Sequence, residues 1–576
     1  MRLTASGWGR NRLASSSTGE QIAVQYWEAL LPMRSFRATE IGDERYDDRL
    51  EDPTTAGRSA RTRLAAETVA DLDRLGHERV AGLEGEIEDA VTADVLRFLC
   101  EVELETVATE RWRLESIDHM DRGPAVALVM LAQAQWADTP ERLDRWLARL
   151  AAYPRYIEGP IEQINEARGL GILPSKIVAQ RVLDQLDGLL AEPAVSTVFV
   201  TAPPVADPAD RERIAVAVAA NVQPSLARFR DVIHGLLSEA RTEPGLWAVP
   251  GGDRMYLSAV REWTTVQIDP EELHRSGRDD LEQIERERQL IARGAGHGAD
   301  TAAYRRSLAA DPINIPTSAD ALLGRMEADI ARAQAAAPKW FGRLPRAGCE
   351  VQPLADAIAG GSPGYFLSAT PDGARPGVFY MNTSDLPSRL FSRSATTIYH
   401  ETVPGHHLQI GLQNEHPSLS PFRRLGADLC AGAFVEGWGL YAERLADEMG
   451  LFRTDGERFG MLDAQAWRAA RLVIDTGLHA FGWDRERAVD ELVGATGFER
   501  VDAEIEVDRY VAIPGQALAY KVGQREIERL RAGGSATAEA AGRSFDLRHF
   551  HDELLGHGAL PLSVLGARLP GWLGES

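Results

Sequence analysis

Between positions 400 and 407 the chain places three imidazoles and a carboxylate, His400, Glu401, His406 and His407, although all 576 residues contain only 13 histidines. Neutral imidazole is the commonest protein ligand for zinc, and a glutamate directly after the first histidine is placed to act as general base toward a water that the metal activates. The spacing departs from the H-E-x-x-H pattern, in which two ligands four apart share one helix face. Four residues after His400 comes Pro404, and the next histidine is His406. At about 100° per residue, six steps turn roughly 600°, which carries His406 to the wrong side of a regular helix. A bulge at Pro404-Gly405 would return it, because Pro404 removes a backbone donor and clashes with the preceding turn while Gly405 accepts almost any backbone angle. A bulge that absorbs two extra residues suffices for His406, whereas His407 needs three, so His406 is the expected second ligand and His407 a supporting neighbour. The plain alternative is a helix end at Pro404 with the histidines merely packed.

Catalytic zinc usually takes three protein ligands and leaves one position open. The segment Phe434-Val435-Glu436-Gly437-Trp438-Gly439-Leu440-Tyr441-Ala442-Glu443 lies in an apolar helical pattern from about Ala427 to Met449, ending at Gly450. Glu436 and Glu443, seven apart, fall on one face. Gly437 and Gly439 remove bulk around Glu436 and would let this helix approach the histidine helix. A carboxylate among Phe434, Val435 and Trp438 is costly unless paired or metal-bound. Glu436 is therefore the expected third ligand and Glu443 a group that orients a ligand from behind. Without the histidines, two exposed glutamates on an amphipathic helix would be the better reading.

The pieces His400-Glu401-Thr402-Val403-Pro404-Gly405-His406-His407, Glu436 to Glu443, and Pro514-Gly515-Gln516-Ala517-Leu518-Ala519-Tyr520-Lys521-Val522-Gly523 together resemble the bacterial domain of unknown function 885 family. Similarity extends to Gly42 to Leu50 and to Phe550 to Gly556, and so covers nearly the whole chain. That family resembles the gluzincin zinc metallopeptidases, mainly helical enzymes in which a glutamate on a later helix completes the zinc site. The resemblance implies a multi-helix, mainly α fold with a deep cleft, and one Zn2+ per chain. It also implies a tyrosine from a later helix facing the oxyanion of the tetrahedral intermediate. By motif position that is Tyr520, with Tyr510 as a rival.

Lys plus Arg is 63 and Asp plus Glu is 86, a net charge of -23, which repels nucleic acid and anionic membrane. The N-terminus lacks a secretory apolar run, and no stretch has about 18 consecutive apolar residues, so a soluble, cytoplasmic protein is expected. Cys100, Cys349 and Cys430 are far apart and odd in number, which fits a reducing compartment.

A chain this long exceeds one compact core, and two or three helical subdomains around a cleft are expected. Residues 1–20 read as a flexible N-terminus, 21–345 as helical cleft walls, and 346–576 as the metal-site region with a small β element and C-terminal helices. Helical spacing dominates from about Glu20 to Ala240, as in Leu143, Trp146, Leu147 and Leu150. Thr139-Pro140 and Asp269-Pro270 read as helix starts, and Asp269 with Glu272 has capping-box spacing. Turns at Gly360 to Gly364 and Pro371 to Gly377 flank β-prone runs, Tyr365 to Ser368 and Val378 to Met381, which read as a hairpin beside the metal helix. Its edge would hold an extended peptide by strand addition, or the hairpin would serve only as a flap.

Arg509 is placed to bind a substrate carboxylate bidentately. The combined expectation is metal-assisted hydrolysis of short peptides, leaning to a carboxypeptidase or dipeptidase. His400, His406 and Glu436 are the metal ligands, Glu401 and Tyr520 the catalytic groups, and Arg509 the carboxylate anchor. The same site could cleave another amide or an ester. A binding protein with a structural metal, completed by His407, is the rival of a different class.

Overall fold

The computed structural model describes residues 18–78, 86–120, 122–354, 364–370 and 375–574. It is mainly helical, with one three-stranded sheet among the described residues. Most of the expected N-terminal segment, and the turn residues 360–363 and 371–374, lie outside the described residues. The first described helix, Gly19–Leu30, opens on a capping box between Thr18 and Gln21.

The long helix α1, Pro140–Gly169, starts where Thr139 accepts the Arg142 backbone N–H at 3.2 Å, and it buries Leu143, Trp146 and Leu150. Helix α2, Pro270–Gly294, starts at Asp269, whose carboxylate accepts the Glu271 N–H at 2.7 Å. The cap is thus made to the second helical residue, and Glu272 does not close the expected box. Helix α3 spans Ala319–Ala336.

Strands β1 (Cys349–Pro353), β2 (Gly364–Leu367) and β3 (Gly377–Met381) form a sheet in the order β1-β3-β2. The expected hairpin is present as the antiparallel β2-β3 pair, with Leu367 opposite Val378. It is extended on its other edge by β1, which runs parallel to β3 with Cys349 opposite Gly377. The central strand buries Val378, Phe379 and Met381, as a strand covered on both faces must.

Helices α4 (Phe391–Glu401), α5 (His406–Glu415), α6 (Gly432–Glu448), α7 (Asp455–His479), α8 (Arg500–Ala512) and α9 (Ala519–Ala540) follow. The apolar pattern expected from Ala427 is helical only from Gly432, after a short 3-10 turn over Ala427–Cys430. Among the described residues two large apolar cores result, and each draws on both sides of residue 345. Helix α7 serves both, with Met461, Leu462, Ala469 and Leu472 in one core and Ala470, Val473, Ile474 and Leu478 in the other. It packs against α2 at Gly277, where a β-carbon would stand 2.8 Å from both Leu472 and Val473. The three cysteines are free, and no described helix is long and apolar enough to cross a membrane.

Candidate metal centre

The chain does not bulge at Pro404. Helix α4 ends at Glu401, the Val403–Pro404 peptide is cis, and α5 starts afresh at His406. Two helices joined by a tight loop therefore replace the single distorted helix expected from the spacing. The physical reason lies in Pro404 and Gly405 together. Proline cannot continue the hydrogen-bond ladder, and a β-carbon at Gly405 would collide with the His400 carbonyl oxygen. Trp438 of α6 closes the loop from outside, its indole Nε1 donating to the carbonyls of Pro404 at 3.0 Å and Gly405 at 3.2 Å.

This turn brings His400, at the end of α4, beside His406, at the start of α5, with ring centroids 4.8 Å apart and planes at 88°. Glu436 of α6 faces both. Its Oε2 lies 3.6 Å from His400 Nε2 and 3.7 Å from His406 Nε2. One donor atom from each of the three residues falls within 4.8 Å of the others. Gly439, one turn after Glu436, makes room for the rings, since a β-carbon there would lie 2.7 Å from His400 Nε2 and 3.0 Å from His406 Cε1. Gly437 plays a different part from the one its position suggests. It faces away from the histidines and touches Gly523 of α9 backbone to backbone, with Ala433 alongside.

Behind the donors, His400 Nδ1 donates to Glu443 Oε1 at 2.9 Å, and Gln465 Nε2 donates to Glu443 Oε2 at 2.8 Å. Glu443 is 1% exposed. His406 Nδ1 lies 3.4 Å from Gln409 Oε1. Burial disfavours a charged His400, yet the Glu436 and Glu443 carboxylates beside it outweigh burial and hold its imidazolium up to about 10. Burial likewise opposes the Glu436 carboxylate, and the two imidazoles overcome this and hold it well below the ordinary range. Both shifts have one electrostatic meaning, an anionic set, half-buried at Glu436 and buried at Glu443, that favours positive charge at its centre.

The residues fit a divalent cation. At 3.6 and 3.7 Å the carboxylate is too far from either Nε2 for a direct hydrogen bond. Ligand atoms around a tetrahedral zinc, each about 2.0–2.2 Å from the ion, stand roughly 3.4 Å from one another. Imidazole and carboxylate suit zinc, and they also suit manganese or cobalt.

Glu401 sits next to His400 at the end of α4 and is partly exposed. His407 points elsewhere: its ring meets Phe366 of β2 edge-on at 5.9 Å, and a β-carbon on Gly377 of β3 would stand 2.7 Å from its Nδ1. Burial lowers its proton affinity. Tyr520 is in the first turn of α9, one turn before the Gly523 contact, with the Arg471 guanidinium 4.5 Å above its ring. Tyr510 is 1% exposed, and its hydroxyl accepts from Trp467 Nε1 at 3.2 Å and Arg471 Nε at 3.1 Å. Arg509 donates to Gln516 Oε1 at 2.8 Å and lies 3.6 Å from Glu506. Sequence reasoning missed Trp438 as the clamp of the loop, and it missed Gln465, which reads as a polar position of an amphipathic helix.

The family model described as bacterial protein of unknown function (DUF885) matches residues 36–569. Among solved structures, the chain resembles a candidate lipoprotein from Colwellia psychrerythraea, with a TM-score of 0.86 and 26% identity over 97% of this chain and 100% of that one. It also resembles a candidate lipoprotein of unknown function from Shewanella oneidensis, with a TM-score of 0.75 and 17% identity over 96% and 99% of the two chains. Among curated proteins, none matches it in sequence.

Proposed function

The chain belongs to the DUF885 family of bacterial proteins, and we propose that it is a metal-dependent hydrolase of the gluzincin type that cleaves amide bonds in short peptides. The observation that carries this reading is the convergence of His400, His406 and Glu436, one donor atom each within 4.8 Å, directly beside the partly exposed Glu401. A divalent cation held by these three groups would supply Lewis-acid polarisation of the scissile carbonyl and would acidify water. Everything else falls to side chains of the protein. Glu401 takes the proton from the attacking water and returns it to the leaving amine, the role for which a carboxylate adjacent to a ligand is suited. Glu443 keeps the Nδ1 proton on His400, which leaves the Nε2 lone pair directed at the donor set. Tyr520 is the candidate donor to the developing oxyanion. The cleft expected of this class would admit short chains and exclude folded proteins. His407, turned toward the sheet, supplies no fourth donor, so the reading as a closed structural metal site has no support from its position.

Elemental analysis of the purified protein, with hydrolysis assays on a dipeptide and tripeptide library, tests this reading. Glu401→Gln should retain about one metal per chain and lose at least about 100-fold in turnover. Substantial peptidase activity in metal-loaded Glu401→Gln protein, or a parent protein that binds no divalent cation, overturns it.

A further inference from the structure

The motif that ends in Tyr520-Lys521-Val522-Gly523 leaves one residue without a task, the buried Lys521, which is 5% exposed. Its Nζ lies 3.3 Å from Gln465 Oε1 and 2.9 Å from Gln524 Oε1, with Asp280 at 3.9 Å. Gln465 in turn donates through Nε2 to the Leu440 carbonyl at 3.1 Å and to Glu443 at 2.8 Å, and Glu443 accepts from His400 Nδ1 at 2.9 Å. Gln465 is 0% exposed and Glu443 1%, so water cannot substitute for a lost partner.

We propose that Lys521 and Gln465 are positioning residues of the metal centre, the outer members of a one-way hydrogen-bond chain that ends at His400. The proposal rests on the reading of His400, His406 and Glu436 as metal ligands. Its direction follows from what each group is able to do. A lysine nitrogen facing a buried amide only donates, so the atom of Gln465 that meets it is the oxygen. The Leu440 carbonyl and the Glu443 carboxylate only accept, so the atom that meets them is the Gln465 nitrogen. With Glu443 Oε2 filled from Gln465, Oε1 is directed at His400, and the proton shared there resides on Nδ1. The lone pair of His400 is thereby placed on Nε2, the atom 3.6 Å from Glu436. Without Lys521 the Gln465 oxygen is buried with no donor. A buried unmet acceptor is among the more costly defects of a core, and the amide relieves it by swinging away from Glu443.

Helix α9 thus reaches the metal centre from behind, through Lys521. Lys521 lies two residues before Gly523, whose backbone meets that of Gly437 on α6.

Chelator-competition titration with zinc, together with the visible spectrum of the cobalt-substituted protein, tests the chain in the full-length parent, Lys521→Met, Gln465→Met and the double variant. Loss of an outer partner of a metal ligand typically weakens metal binding by about 10-fold or more. Gln465→Met should weaken zinc by about 10-fold and Lys521→Met by a smaller factor. Because both act through one path, the double variant should match Gln465→Met, and its cobalt spectrum should shift in the same sense. Lys521→Gln, which retains a donor, should recover part of the loss, and Gln465→Met alone serves as the test if Lys521→Met does not fold. Parent-like zinc affinity in folded Lys521→Met or folded Gln465→Met protein, or single losses that multiply in the double variant, overturns the proposal while leaving the metal-site reading intact. A parent that binds neither zinc nor cobalt overturns both.

Discussion

Gly439 lies against His400 so closely that a β-carbon at this position would stand 2.7 Å from the imidazole Nε2. The ring cannot retreat, because Glu443 holds its Nδ1 from behind at 2.9 Å. Gly439→Ala should therefore displace the donor atoms without unfolding α6, where alanine is the better helix former. The expected result is a fall of at least about 10-fold in zinc affinity with an unchanged far-UV circular dichroism spectrum. Parent-like zinc affinity in the alanine variant would show that the centre has more room than the geometry implies.

The backbone contact between Gly437 and Gly523 makes a separate prediction about stability. A β-carbon on Gly523 would run into the Ala433 carbonyl and the Gly437 backbone, neither of which can move aside as a flexible side chain can. Gly523→Ala should lower the unfolding free energy by about 3 kcal/mol, at the upper end of overpacking costs. Urea unfolding followed at constant m-value measures it, and a change below about 0.5 kcal/mol would refute the close crossing.

The candidate donors His400, His406 and Glu436, with Glu401 beside the first, are legible in the sequence because their chemistry is unusual there, in an acidic chain poor in histidine. The form of the connection is not. Pro404-Gly405 announces an interruption, but a bulge and a full break between α4 and α5 satisfy the same local rules, and the Trp438 clamp on the loop carbonyls is a tertiary contact with no local signature. Strand β1 escaped notice because its partner β3 lies 28 positions away, from Cys349 to Gly377, and no turn links the two. Gln465 and Lys521 are ordinary helix formers on amphipathic helices, and spacing alone cannot tell a buried polar pair from a solvated one. The orientation of His407 toward Phe366 is a tertiary fact with no local signature.

Asp475 supplies a pH dependence that is independent of the metal. Its carboxyl is fully buried between the Tyr256 hydroxyl, 2.7 Å away, and the Gly515 N–H, and burial pushes it up to about 7 against the opposing pull of these donors. An unfolded aspartate titrates near about 3.9. A folded value above the unfolded one means that the contribution is fully present below about pH 4 and is lost as pH rises through about 7. The parent should therefore lose stability relative to Asp475→Asn between pH 4 and 8, by an amount on the order of 4 kcal/mol. Parallel urea midpoints for the two proteins across that range would exclude the shift.

Substrate direction can be read from peptide ends. A carboxypeptidase needs a cation for the terminal carboxylate, and Arg509 is already engaged by Gln516 and Glu506. If Arg509 is nevertheless the anchor, amidated peptides should resist cleavage, N-acetylated ones should be cut, and Arg509→Met should raise KM by at least about 10-fold while leaving kcat nearly unchanged. Cleavage of amidated peptides together with a block by acetylation would identify an aminopeptidase and return Arg509 to a structural role.

Helix α7 gives one face to each apolar core, and this bears on how such a chain can change over time. A segment exchanged between relatives keeps its packing only when every surface it meets comes with it. Here the two faces of one helix answer to different neighbours contributed by stretches hundreds of positions apart. Recombination that replaced either core would leave α7 with one matched face and one mismatched face.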